Sequence, residues 1–162
     1  MLIGNYFKNI NSKYKRHYFS DLSFNSLSCK KDNIFFAIKG NQIDGNSYIN
    51  NAIKKGAKTI VSDRKFQGIK KNILYIKSTN TRKLLSETAY SILKNLPKNL
   101  IAVTGTNGKS SISNFYLQIL KLNKKKVASI GTLGFNIDGQ IKKGSNTTLD
   151  PVELCLILKK IK

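Results

Sequence analysis

The chain has 162 residues, 40% of them hydrophobic, with two prolines and a formal net charge of +21 from 29 Lys and Arg against 8 Asp and Glu. A chain of this length buries one good core or two small ones, and this apolar content excludes dominant disorder. The longest apolar stretches, such as Ile34-Phe35-Phe36-Ala37-Ile38, fall far short of the ~20 residues that cross a bilayer, and the N-terminus lacks an apolar signal core. No membrane insertion is expected, and the cytoplasm is the default location.

The positive charge is spread as lysines over the expected solvent faces of every element, amid many Asn and Ile, which is the pattern of a compositional bias. No specific nucleic-acid partner is therefore expected, although the charge attracts anions in general. Only Lys124-Lys125-Lys126 forms a run, at an expected helix C-terminus where the dipole favours cations. Cys29 and Cys155 have no neighbour at metal-ligand spacing and read as reduced thiols. The single histidine, His17, lies among Lys15, Arg16 and Tyr18 and reads as solvated.

In chain order, strands are expected over 22–27 and 33–38, a loop over 40–47, a helix over 48–55, strands over 58–62 and 73–77, and a helix over 80–94. The helices rest on apolar spacing at Ile49, Ala52 and Ile53, and at Leu84, Leu85, Ala89, Ile92 and Leu93. Gly56 is placed as the C-terminal cap of the first, and Ser78 or Thr79 as the N-cap of the second. Pro97 then breaks the chain.

Beyond it, the apolar run Leu100-Ile101-Ala102-Val103 is expected to be a strand that enters the turn Thr104-Gly105-Thr106-Asn107-Gly108-Lys109-Ser110-Ser111 and then a helix over 109–122. Two glycines let the backbone pass close to phosphate oxygens, and amides at a helix N-terminus point at the anion. Lys109 adds a point charge suited to β- and γ-phosphates, and the Ser110 hydroxyl suits Mg²⁺. The common phosphate-loop pattern has a glycine where this chain has Val103, so the loop is a variant with its glycine at Gly105.

The helix over 109–122 carries Ile112, Phe115, Ile119 and Leu122 on one face and leads to a strand over 127–130, which completes a first βαβ unit. A hairpin over 135–141 with an Asp138-Gly139 turn follows. Asp150-Pro151-Val152-Glu153 then opens a helix with an N-cap, a first-turn proline and a capping-box glutamate. The expected fold class is α/β: a small N-terminal α/β domain over 1–96, then over 97–162 the first βαβ part of a P-loop-type ATPase domain.

These residues resemble the Mur ligase family of peptidoglycan synthesis over most of the chain. Thr104-Gly105-Thr106-Asn107-Gly108-Lys109-Ser110 is similar to the family's ATP loop, although the last two residues there are more usually both threonine. Asn33 to Gly40, then Asp44-Gly45 and Tyr48-Ile49, resemble the N-terminal signature, which Ala52, Gly56 and Ala57 continue. Ile130-Gly131-Thr132-Leu133-Gly134 and Asn146-Thr147-Thr148-Leu149-Asp150-Pro151 resemble the branch that adds the third amino acid. The Asn33 to Tyr48 signature argues against the folylpolyglutamate synthetases, which share the loop and the chemistry.

The resemblance implies an ATP-dependent amide ligase that joins a diamino acid, meso-diaminopimelate first among the candidates, to UDP-N-acetylmuramoyl-L-alanyl-D-glutamate through an acyl phosphate. ATP and Mg²⁺ would be held by Gly105, Thr106, Asn107, Gly108, Lys109, Ser110 and Ser111, with Lys109 catalytic and Ser110 on the metal. Phe24, Ser26, Asn41, Gln42 and Ile43 would take the uridine diphosphate end, and Asn146, Thr147 and Thr148 the muramoyl peptide. Asn146 to Thr148 also read simply as a polar loop, and Ser26 as a solvent-facing strand residue.

The sequence departs from the family at Asn25-Ser26-Leu27, where a charged pair is missing, and at Asp32-Asn33. Family members continue through a large central domain and a third domain that carry further metal ligands and the amino-acid pocket. The chain is accordingly expected to represent the front part of a ligase, to be monomeric and to catalyse no amide formation by itself. The alternatives are a UDP-sugar and ATP-binding module without turnover, the dipeptide-adding branch, and a basic nucleic-acid-binding protein.

Overall fold

A computed structural model describes all residues except 9, 41, 94–96, 138–139, 143–148 and 162. The chain forms two compact units, Met1–Leu93 and Lys94–Lys162.

In the first unit, β1 (Leu22–Ser23), β2 (Ile34–Phe36), β3 (Thr59–Ser62), β4 (Gly68–Lys70) and β5 (Ile73–Lys77) form one sheet in the order β1-β2-β3-β5-β4. All neighbouring pairs are parallel except β4 with β5, which is an antiparallel hairpin at the edge. A parallel sheet needs both faces covered, and β2 and β3 are buried at every position. The register sets Phe35 beside Ile60 and Ile60 beside Tyr75, on the face where α1 (Ile49–Lys54) packs Ile49 and Ala52. The opposite face carries Phe36, which stacks on Phe7, and β2 lies against α2 (Thr81–Ser91).

Residues 1–20, to which no element was assigned from sequence, form two short 3₁₀ turns, Ile3–Asn5 and Ser12–Tyr14. The N-terminal ammonium donates to the Phe19 carbonyl at 2.7 Å, and Ile3 and Phe19 are fully buried, so this segment belongs to the core. His17 is not solvated as expected. It is half-buried, its Nε2 is buried with no hydrogen-bond partner, and desolvation holds its pKa below the ordinary value.

Several bounds differ from expectation for local reasons. The strand over 22–27 stops at Ser23 because Asn25 makes its own turn: its side chain accepts from the Leu27 amide at 2.9 Å, and its carbonyl accepts the Ser23 and Ser28 hydroxyls. Strand β4 was missed because its hairpin turn, Lys71-Asn72, lacks glycine although both residues adopt positive φ, at 49° and 61°. The N-cap of α2 is Asn80, whose side chain accepts from the Lys83 amide at 2.9 Å, rather than Ser78 or Thr79.

The second unit contains α3 (Lys109–Leu122), an antiparallel sheet of β6 (Ala128–Gly131), β7 (Gly134–Ile137) and β8 (Gln140–Lys142), and α4 (Pro151–Lys160). Helix α3 has the expected bounds, and Asp150 caps α4 by accepting from the Val152 and Glu153 amides, both at 2.8 Å. The expected βαβ unit is not formed. Leu100 to Val103 is not a strand, because no described segment pairs with it, and β6 turns back through Thr132-Leu133 into β7. The hairpin of β7 and β8 is present, and its Asp138-Gly139 turn lies outside the described residues.

Candidate functional site

The loop before α3 is built on two left-handed glycines, Gly105 at φ +148° and Gly108 at φ +78°. Gly108 is the N-cap of α3, and no side chain caps the helix there. The amides of Lys109, Ser110 and Ser111 thus open the helix with no side-chain acceptor, and no acidic residue stands in the first turn. A Cβ built at Gly108 would meet nothing within 4 Å, and Thr104 to Ser111 are all exposed. Uncapped amides, open space and the positive end of a helix dipole suit a phosphate group.

Lys109 folds back across this loop, its Nζ donating to the carbonyls of Gly105 and of Thr106, the latter at 3.0 Å. Ser110 Oγ lies 3.1 Å from Thr132 Oγ1. Thr132, in the turn between β6 and β7, thereby joins the site. Sequence reasoning used Thr132 only as a mark of the branch; its only signal was the Gly131-Thr132-Leu133-Gly134 turn. Among the described residues no group of three or more His, Cys, Asp and Glu is placed to hold a metal. A divalent ion here would rest on Ser110 Oγ and on phosphate oxygens.

In the first unit the other expected residues lie at one edge of the sheet. Strands β1, β2 and β3 are parallel, so Phe24 and Ser26 after β1, Gln42 and Ile43 after β2, and Asp63 and Arg64 after β3 all follow carboxyl ends, where ligands of open α/β sheets bind. Phe24 and Ile43 are exposed apolar side chains, at 40% and 60%. Ser26 is not on a strand and does not face solvent. It is buried in the Asn25 turn, and its Oγ accepts from Asn51 Nδ2 of α1 at 3.4 Å.

The loop carrying Gln42 and Ile43 is closed by backbone bonds from Gly40 to the Ile43 carbonyl, 2.8 Å, and from Gly45 to the Ile38 carbonyl, 3.0 Å. Asp44 accepts from the Asn46 amide at 2.9 Å, and this bond, together with the Asn46 side chain, Lys39 and Arg64, lowers its pKa. Asn41, Asn146, Thr147 and Thr148 lie outside the described residues. A shallow cleft of about 590 Å³ by the amino ends of β1 and β2, lined by Ser20, Asp21, Lys30, Lys31 and Asn33 among others, gathers no catalytic group. Burial raises the thiol pKa of both Cys29 and Cys155, which are free. No helix among the described residues is long and apolar enough to cross a membrane.

Residues 19–104 match the Mur ligase family, catalytic domain, and residues 103–162 match the Mur ligase middle domain. The UDP-N-acetylmuramoyl-L-alanyl-D-glutamate--2,6-diaminopimelate ligase of Rickettsia prowazekii is 42% identical over 131 residues, 81% of this chain and 27% of the relative. The same-named protein of Clostridium tetani is 38% identical over 144 residues, 86% of this chain and 30% of the relative. The chain thus spans less than a third of these curated relatives. A solved structure of a ligase of that name aligns with 99% of this chain and 34% of its own, at TM-score 0.79 and 23% identity, a likeness of fold. The MurF ligase of Thermotoga maritima in complex with ADP aligns with 63% of this chain and 23% of its own, at TM-score 0.50 and 25% identity. With the two domain families matched one after the other over residues 19–162, the chain belongs to the Mur ligase family.

Proposed function

We propose that the chain is the substrate-nucleotide and ATP-loop part of a ligase that adds the third amino acid, meso-diaminopimelate, to UDP-N-acetylmuramoyl-L-alanyl-D-glutamate in the cytoplasm. The observation that carries this reading is the uncapped N-terminus of α3, opened by Gly108 and followed at once by Lys109 and Ser110. Relatives of that name at 38% to 42% identity support the choice of reaction. ATP would supply the phosphoryl group that turns a carboxylate into a leaving group, since carboxylate and amine do not condense unaided.

In this reading the amides of Lys109, Ser110 and Ser111 hold phosphate oxygens, Gly105, Thr106 and Asn107 shape the loop, and Lys109 leaves its carbonyl partners to offset the charge that develops during transfer. Ser110, with Thr132 beside it, would hold Mg²⁺. Residues 1–96 take the uridine diphosphate end through Phe24, Ser26, Asn41, Gln42 and Ile43. Residues 97–162 begin the ATP-binding domain, and Asn146, Thr147 and Thr148 contact the muramoyl peptide. The protein acts as a monomer.

Calorimetric titration of the purified chain with Mg-ADP tests the loop. Lys109→Ala is expected to weaken binding at least tenfold without shifting the melt, because an exposed loop lysine contributes little to stability. Equal affinity in the variant overturns the assignment. Grafting residues 1–162 in place of the matching segment of the Clostridium tetani relative, which supplies the amino-acid pocket, tests the precursor and ATP side of the reaction: extension of UDP-N-acetylmuramoyl-L-alanyl-D-glutamate, lost with Lys109→Ala, is expected. A graft that instead extends only the tripeptide precursor would assign the dipeptide-adding branch.

A further inference from the structure

The loop after β2 is tied to the end of β3 through one side chain. Asn46 is 8% exposed, although it is a polar residue in a loop at the sheet edge. Its Nδ2 donates to Asp44 Oδ1 at 2.9 Å and to Asp63 Oδ1 at 2.8 Å, so both amide protons are used. Its backbone amide also donates to Asp44 Oδ1 at 2.9 Å, and its carbonyl accepts from Arg64 Nη2 at 3.3 Å. Asp44 belongs to the loop after β2, whereas Asp63 and Arg64 follow β3 directly.

The rest of the loop has little freedom. A Cβ at Gly45 would come within 2.6 Å of the Ile38 amide nitrogen and carbonyl oxygen, so backbone presses on backbone there. Lys39 and Asp44 pair as an isolated antiparallel bridge, and Gly40 donates to the Ile43 carbonyl. The exposed Gln42 and Ile43 therefore sit at the tip of a closed loop whose base is held by Asn46. Asn46 Oδ1 is buried without a hydrogen-bond partner, so the two bonds donated by Nδ2 are what this amide contributes to the loop.

We propose that Asn46 is a positioning residue: by joining Asp44 to Asp63 it presets the Gln42 and Ile43 tip against the carboxyl end of β3, where the uridine diphosphate end of the substrate is taken up. This rests on the reading that the tip binds uridine diphosphate. Asn46 itself is buried and acts through the tip, by removing the ordering that binding would otherwise require.

The test is titration of the 162-residue chain and its variants with UDP-N-acetylmuramoyl-L-alanyl-D-glutamate, beside a melt and a titration with Mg-ADP. Asn46→Asp removes both donors and sets a third carboxylate between two others; affinity for the uridine compound is expected to fall at least tenfold. Asp63→Ala, at an exposed position, keeps the fold and releases only the tie to β3, and a smaller loss of about threefold to fivefold is expected. Adding Asp63→Asn to Asn46→Asp should recover at least threefold, because the amide introduced at position 63 donates to the carboxylate introduced at position 46. Affinity for Mg-ADP should stay within twofold throughout. Wild-type affinity in Asn46→Asp or in Asp63→Ala overturns the inference alone, as does the absence of recovery in the double variant. Failure of the unaltered chain to bind the uridine compound removes the uridine reading and the inference with it.

Discussion

Lys109 and His17 show how much a single side chain's surroundings decide. Lys109 is exposed and held by two carbonyls of its own loop, so it is free to exchange those partners for an anion. His17 is the opposite case: desolvation lowers its pKa, against a hydrogen bond with the Lys58 backbone and attraction from Asp32. Asp32 and Lys58 stand just before β2 and β3, which puts the ring against the base of the sheet. In the unfolded chain His17 takes up a proton near pH ~6.5, more readily than in the folded chain. Stability is therefore fully present above that pH and falls as pH drops through it towards the folded value. Asp44, whose carboxyl is held below the usual range, titrates lower and does not contribute in that window. The melting midpoint of the first unit is expected to be lower at pH ~5.5 than at pH ~7.5, and His17→Gln should shrink the difference. An unchanged difference in the variant would assign the pH dependence elsewhere.

Among the helices, caps separate structure from function. Asn80 caps α2 and Asp150 caps α4, each by accepting backbone N–H groups of the first turn, whereas α3 begins at a glycine with no side-chain cap. Asn80→Ala is expected to destabilise the first unit by about 1 kcal/mol, read as a shift of the denaturation midpoint with the slope unchanged. No loss on that substitution would mean that tertiary packing alone holds the first turn of α2. The bounds of α3 were legible because apolar spacing and the Gly108-Lys109 signal agree along one continuous segment. The strand bounds were less legible. At Asn25 a local side-chain turn ends β1, at Lys71-Asn72 a glycine-free turn makes β4, and at Leu100 to Val103 an apolar run is left without a neighbour to form a ladder.

The two units differ in how far they bury their apolar residues. The first covers Phe19, Phe35, Phe36, Ile34, Ile60 and Leu74 almost completely. In the second, only Leu117, Ile157 and Leu158 are buried among the described residues, while Ile112, Phe115, Ile119 and Leu122 of α3 are exposed by 56% to 83%. Expressed separately, residues 1–93 are expected to melt cooperatively, and residues 94–162 to bind an apolar dye and to associate. A sharp melt without dye binding from 94–162 would contradict this. The sequence by itself determined the α/β class, the family, the helix α3 and the glycine turn that opens it, because each depends on residues close together in the chain. Only the tertiary structure decided that Ser26 is buried in a turn and reached by Asn51, that Thr132 stands beside Ser110, and that Asn46 ties Asp44 to Asp63. Apart from the local bond of Asn46 to Asp44, these contacts join residues 17 to 25 positions apart, and pairing between distant segments leaves no local periodicity to read.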